Sequence, residues 1–103
     1  MAQQPLKICL ATSEMTPLAK TGGLADVAAA LSVFLDQQGH DIRVLLPLHS
    51  AIDTSTLEIT PVHFLQGRHL WLGNHHFRYS IDTATLPGSR LKIYLLRCPE
   101  LYD

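Results

Sequence analysis

One stretch of the chain has helical spacing. Its apolar positions Leu24, Val27, Ala28, Leu31 and Leu35 recur every three or four residues and leave Asp26, Ser32 and Asp36 to the sides. Ala28-Ala29-Ala30 adds helix propensity, and Gly39, after Gln37-Gln38, supplies a left-handed stop. A helix beginning at Leu24 is therefore expected, with the apolar stripe as its core face. Residues 6–11, a short apolar run broken only by Lys7, read as a buried strand. Residues 41–47 read as a second strand, closed by Pro47, which has no place inside a central ladder. Strand, glycine turn, helix, glycine turn and strand make a βαβ unit with parallel strands and a right-handed crossover. The expected fold class is α/β, opening as a Rossmann-like layer.

The second half changes period. Residues 56–65 and 77–86 partly alternate apolar and polar positions and are rich in Thr, Val, Ile, Tyr and Phe, so both read as strands. Gly73-Asn74 between them is a hairpin signal, Pro87-Gly88 marks another turn, and residues 91–96 form a further apolar strand. The pattern predicts a β-rich region with a hairpin and no second long helix, inserted before the next parallel strand. Trp71 and Phe77, which flank the turn, read as core residues rather than as a sugar-stacking pair.

Composition narrows the function classes. At 103 residues the chain holds one small domain, able to bury somewhat over ~60% of its unfolded surface. An apolar fraction of 47% with 17% charged residues belongs to a folding chain, not a disordered one. The net charge of −1, with neither sign concentrated, argues against nucleic acid and anionic membranes as partners. The first five residues lack a basic leader, and no apolar run approaches ~18 residues, so a cytoplasmic protein is expected, or a plastid one in a plant, although no transit peptide is seen. Cys9 and Cys98 lie in apolar segments without a C-x-x-C spacing and read as reduced core thiols. His63, His69, His75 and His76 are not joined by Asp, Glu or Cys at a ligand-like spacing. They read as solvent-facing strand and turn residues, and no metal or cofactor is expected.

The chemistry concentrates between the first strand and the helix. In an open parallel sheet, ligands bind beyond the carboxyl ends of the strands. There Gly22-Gly23 lets the backbone approach a ligand, the helix offers unpaired N–H groups, and Lys20 adds a full cation. The loop contains neither Gly-x-x-x-x-Gly-Lys-Ser/Thr nor Gly-x-Gly-x-x-Gly, which removes the Walker-type and dinucleotide readings. Taken alone, it is a phosphate-friendly turn or a plain helix entry.

The surrounding residues make it more specific. Ser13-Glu14-Met15-Thr16-Pro17-Leu18-Ala19-Lys20-Thr21-Gly22-Gly23-Leu24-Ala25-Asp26-Val27 resembles the opening of bacterial glycogen synthases and plant starch synthases. That family shows Ser-Glu-x-x-Pro-x-x-Lys-x-Gly-Gly-Leu-x-Asp-Val between a strand and a helix. The likeness continues at Gly39-His40, at Val44-Leu45-Leu46-Pro47, and at Ile93-Tyr94-Leu95-Leu96 with Leu101-Tyr102-Asp103. Only residues of about 50–90 lie outside it.

The resemblance implies a retaining glucosyltransferase that moves glucose from ADP-glucose to the non-reducing end of an α-1,4-glucan. It also implies a GT-B fold, two Rossmann-like domains facing a cleft without a metal, of which residues 1–103 would be part of the N-terminal domain. It assigns Lys20 to the donor phosphates, Gly22 and Gly23 to the loop beside them, and Asp26 to the edge of the sugar site. Asp26 is equally placed to serve the helix dipole alone, and Glu14 to bond loop amides or to be solvated. The family continues into a second domain that brings most of the nucleotide pocket, a phosphate-binding arginine and lysine, and a glutamate pair. Residues 1–103 hold none of these, so the chain alone is expected to lack synthase activity and to have negligible ADP-glucose affinity. Uncovered sheet edges would favour self-association. The alternatives are a short non-catalytic protein that binds glucan or a partner chain, and a generic nucleotide-binding Rossmann protein.

Overall fold

The computed structural model describes residues 4–20, 22–49, 52, 54–55 and 57–102. Its opening is the expected βαβ unit: strand β1 (Lys7–Ala11), helix α1 (Gly23–Gln37) and strand β2 (Asp41–Pro47), with β1 and β2 parallel and Lys7 opposite Asp41. Gly39, at φ +91°, ends the helix, where the Gly39 N–H donates to Asp36 O and the His40 N–H to Leu35 O. These two bonds satisfy the last-turn carbonyls as in a Schellman motif, which requires the left-handed residue that glycine adopts without a Cβ clash.

The rest of the chain builds outward from β2. A two-residue strand β3 (Thr60–Pro61) and a 3₁₀ turn (His63–Leu65) precede the hairpin of β4 (Arg68–Leu72) and β5 (His75–Thr85), and β6 (Lys92–Arg97) closes the sheet. The strand order is β1-β2-β6-β5-β3, with β4 paired to β5. Strand β6 is parallel to β2, whereas β5 is antiparallel to β6. The parallel order β1-β2-β6 is half of a doubly wound sheet, with β5 and its arm inserted before the third parallel strand. Gly73, at φ +64°, makes the hairpin turn at the predicted place.

The expectation of a strand over residues 56–65 gives way to the short β3 and the 3₁₀ turn. Thr56 lies outside the described residues, and beyond Pro61 the Val62 N–H still donates to Ile81 O at 3.1 Å before the chain turns into the 3₁₀ segment.

The core lies between α1 and one face of the sheet. Ile42, Val44, Leu46, Ile93 and Leu95 are buried there, joined by Met15, Leu18 and Leu91. This corrects the expected helix face. Ala25, Ala28 and Ser32 are buried, while Leu24, Val27 and Leu31 of the apolar stripe are exposed together with Phe34. Branched side chains already fill the sheet surface, so the side of the helix that approaches most closely is the small one. Leu35 is half-buried against the core, as expected. Ser32, expected at the side, is fully buried, and its Oγ has no hydrogen-bond partner among the described residues.

The same alternation corrects three further expectations. β1, read as a buried strand, is half-exposed, because it is the outer strand of the sheet among the described residues. Cys9 points to the face opposite α1 and is exposed, whereas Cys98 is buried, and both are free thiols. Trp71, read as core, leaves 64% of its surface to solvent, and Phe77 is half-buried. Both lie on an arm that extends beyond the helix-covered part of the sheet.

Candidate functional site

The three parallel strands point their carboxyl ends to one side. There Ala11, Thr12, Ser13, Pro47, Leu96 and Tyr102 line a cleft of about 310 Å³. The chain leaving β1 stays tied to the body: the Thr12 N–H donates to Leu45 O at 3.0 Å, extending the ladder past the strand. The Thr12 hydroxyl donates to Glu14 O at 2.8 Å, and His49 Nε2 lies 3.4 Å from Ser13 O.

Residues 15–19 then close a tight turn, in which the Met15 N–H donates to Ala19 O and the Ala19 N–H to Met15 O, each at 3.0 Å. Met15, Leu18 and Ala19 are buried in the core, so the turn is anchored by its own side chains and Lys20 emerges from a fixed point.

Lys20 Nζ lies 2.9 Å from Asp26 Oδ2, and the Thr16 hydroxyl donates to Asp26 Oδ1 at 2.7 Å. The lysine ammonium, and after it the threonine hydroxyl, hold the Asp26 carboxyl below the usual carboxylate range. Asp26 thus receives one bond on each oxygen, from a residue within the turn and from the residue just after it. The sequence reading placed Lys20 and Asp26 at the site and missed Thr16. A hydroxyl ten positions upstream of an aspartate carries no sequence signal until the turn folds it back.

Gly22 is the N-cap of α1, in extended backbone, and no side chain caps the helix start among the described residues. The first-turn amides and their partial positive charge therefore stay available beside the Lys20 ammonium. A Cβ built at Gly22 or Gly23 would meet no atom within 4 Å, and neither residue has a positive φ. Nothing inside the described fold demands glycine at these two positions, and the space over the loop is open to an approaching ligand. Thr21, between Lys20 and the glycines, lies outside the described residues.

A lysine paired with Asp26, a helix start with no side-chain cap among the described residues and a glycine pair lie together at the carboxyl edge of a parallel sheet. Comparison with known proteins makes this more specific. A profile of the starch synthase catalytic domain family matches residues 7–103. The chain belongs to this family.

Glycogen synthase of Aeromonas hydrophila is 40% identical over the whole of this chain, which covers 20% of that protein. Glycogen synthase of Dechloromonas aromatica is 44% identical over 95% of this chain and 19% of its own length. The catalytic domain of starch synthase IV from Arabidopsis thaliana, solved bound to ADP and acarbose, superposes with a TM-score of 0.80 over 93% of this chain and 19% of its own, at 23% identity. That last likeness is one of fold, and it agrees with the expected Rossmann-like α/β layer of a GT-B enzyme. The chain spans about a fifth of the length of the curated relatives it matches.

His63, His69, His75 and His76 are exposed, as the sequence predicts. No group of three or more His, Cys, Asp or Glu among the described residues could hold a metal ion. No helix among them is long and apolar enough to cross a membrane.

Proposed function

We propose that the protein transfers glucose from ADP-glucose to the non-reducing end of an α-1,4-glucan in glycogen biosynthesis, and that residues 1–103 supply one wall of the donor site. The observation that carries this reading is the placement of Lys20 at the uncapped start of α1, held by Asp26 at 2.9 Å. As the glucosyl bond breaks, negative charge grows on the departing diphosphate. A fixed cation and a helix N-terminus aimed at that charge stabilise the transition state more than the ground state.

In this reading Gly22 and Gly23 let the phosphates approach the backbone. Asp26, steadied by Thr16, keeps Lys20 in place while the site is empty. The cleft beside Ser13 and Tyr102 lies where ligands of open parallel sheets bind. The open edge of β1 supports self-association of the 103-residue chain, which a concentration-independent mass in light scattering would contradict. A cytoplasmic location belongs to the same reading.

The test is Lys20→Ala in a chain of the relatives' length. A loss of about 10²–10³ in kcat for glucosyl transfer is expected. Unchanged kcat and donor KM would reject the assignment. Asp26→Asn is expected to have the smaller effect, mainly on donor KM, and the 103-residue chain by itself is expected to show no turnover.

A further inference from the structure

Thr16 reaches helix α1 twice. Its N–H donates to Ala25 O at 3.2 Å, and its hydroxyl donates to Asp26 Oδ1 at 2.7 Å. The two acceptors are neighbours in the first turn of the helix, so the backbone bond fixes the point from which the hydroxyl reaches the carboxylate. The turn that carries Thr16 is anchored in its own right, because Met15, Leu18 and Ala19 are buried in the core. Asp26 is thereby tied to the body of the molecule although its carboxylate is half exposed.

The other carboxylate oxygen, Asp26 Oδ2, meets the Lys20 ammonium at 2.9 Å, where an anionic ligand of that lysine would place an oxygen. A phosphate that binds Lys20 must take the ammonium from Asp26. Lysine suits such an exchange, since its flexible stem carries a compact charge with three rotatable donors. The exchange leaves a full negative charge beside the incoming phosphates. A carboxylate free to turn would follow the ammonium or face the phosphates, and like charges at that range repel. The Thr16 hydroxyl acts on the oxygen that Lys20 does not use, so its bond persists when Oδ2 is released.

We propose that Thr16 is a positioning residue of the donor site: its hydroxyl holds the Asp26 carboxylate in place while the Lys20 ammonium passes from Asp26 to the donor diphosphate. Thr16 acts through Asp26 and Lys20, not on the reacting atoms. The identity of the anion rests on the function proposed above; the double attachment of Thr16 to the helix does not. Because the repulsion would act on the bound donor and on the transition state alike, its effect belongs in donor KM more than in kcat.

The kinetic test uses a chain of the relatives' length. Thr16→Val removes the hydroxyl, keeps a branched side chain, and is expected to raise donor KM about threefold to tenfold with kcat changed less than about twofold. Thr16→Ser, which keeps the hydroxyl, should return KM to the parent value. In an Asp26→Asn background, where no charge is left to restrain, Thr16→Val should add nothing, so the two substitutions should be clearly non-additive. An unchanged KM in Thr16→Val overturns the proposal, as does an equal rise in both backgrounds or a Thr16→Ser variant that behaves like Thr16→Val. A second measurement needs no donor. Lys20 and, after it, Thr16 hold the Asp26 carboxyl below its ordinary range, so NMR titration of that carboxyl in the 103-residue chain should show a higher midpoint in Thr16→Val and a low one in Thr16→Ser. A midpoint indifferent to Thr16→Val also overturns the proposal. Unchanged kinetics in Lys20→Ala would instead reject the donor reading itself, so the two failures are told apart.

Discussion

Val44 and Trp71 both sit in paired strands, yet Val44 is fully buried and Trp71 faces solvent. The difference lies in the third partner. Strand β2 has β1 on one flank, β6 on the other and α1 across its face, whereas among the described residues the β4 end of the arm pairs with β5 alone. Pairing alone satisfies the backbone; burial of the side chain needs a second layer. The body should therefore carry the stability of the molecule, and the arm should carry residues free to meet something else.

Replacing Leu95, which is fully buried in β6, with alanine is expected to cost about 2–5 kcal/mol, a large share of a small domain's stability. Leu72→Ala, on the exposed arm, should stay within about 0.5 kcal/mol. Urea denaturation of the two variants measures the contrast directly, and equal losses would dissolve the distinction between body and arm.

Gly73→Ala forces a side chain into the left-handed turn and should cost roughly 1–2 kcal/mol. If the arm opens on its own, amide exchange will quicken in β4 and remain slow in β2. A uniform loss of protection would show instead that the hairpin folds as one unit with the body.

Within the body, Ser32→Ala should raise stability by up to about 1 kcal/mol, because the Ser32 hydroxyl is buried against the sheet without a partner among the described residues. A lower melting temperature in that variant would show that the hydroxyl is satisfied after all.

The smallest expected effect belongs to Asp26. Its folded-state pKa is depressed by Lys20 and then by Thr16, so the unfolded chain takes up the proton first as pH falls. The contribution is present above the ordinary aspartate value of about 3.9 and is lost as pH drops through the lower folded value. Because both partners are about half exposed, solvent screens the pair. Asp26→Asn should slightly flatten the pH dependence of stability below about pH 4 and leave it unchanged at neutrality.

Much of the body could be read in advance because its signals are local. Gly39 stops the helix and Gly73-Asn74 turns the hairpin through the backbone angles of the glycine itself, and Pro47 is the last residue of β2. The glycine pair and Lys20 were legible for a similar reason, since they stand in one short loop between a strand and a helix. Thr16 was not, because its partner Asp26 is brought to it by the turn of residues 15–19. The helix face was misjudged because hydrophobicity ranks Leu24, Val27 and Leu31 above Ala25 and Ser32, whereas a crowded sheet selects for small side chains. The exposure of Trp71 was hidden for the converse reason: an aromatic residue in a strand pattern implies a covering layer, and only the topology shows that none of the described residues forms one over the arm.

The sequence by itself determined the βαβ opening, the turn positions, the family, and the cation beside a glycine pair at a helix start. These follow from periodicity, from backbone restrictions at glycine and proline, and from a contiguous motif. The tertiary structure alone decided which side of α1 meets the sheet, that Asp26 is held on both oxygens, and that Trp71 faces solvent on the arm. Each of these depends on which elements lie against one another, and that is settled by long-range packing between residues far apart in the chain.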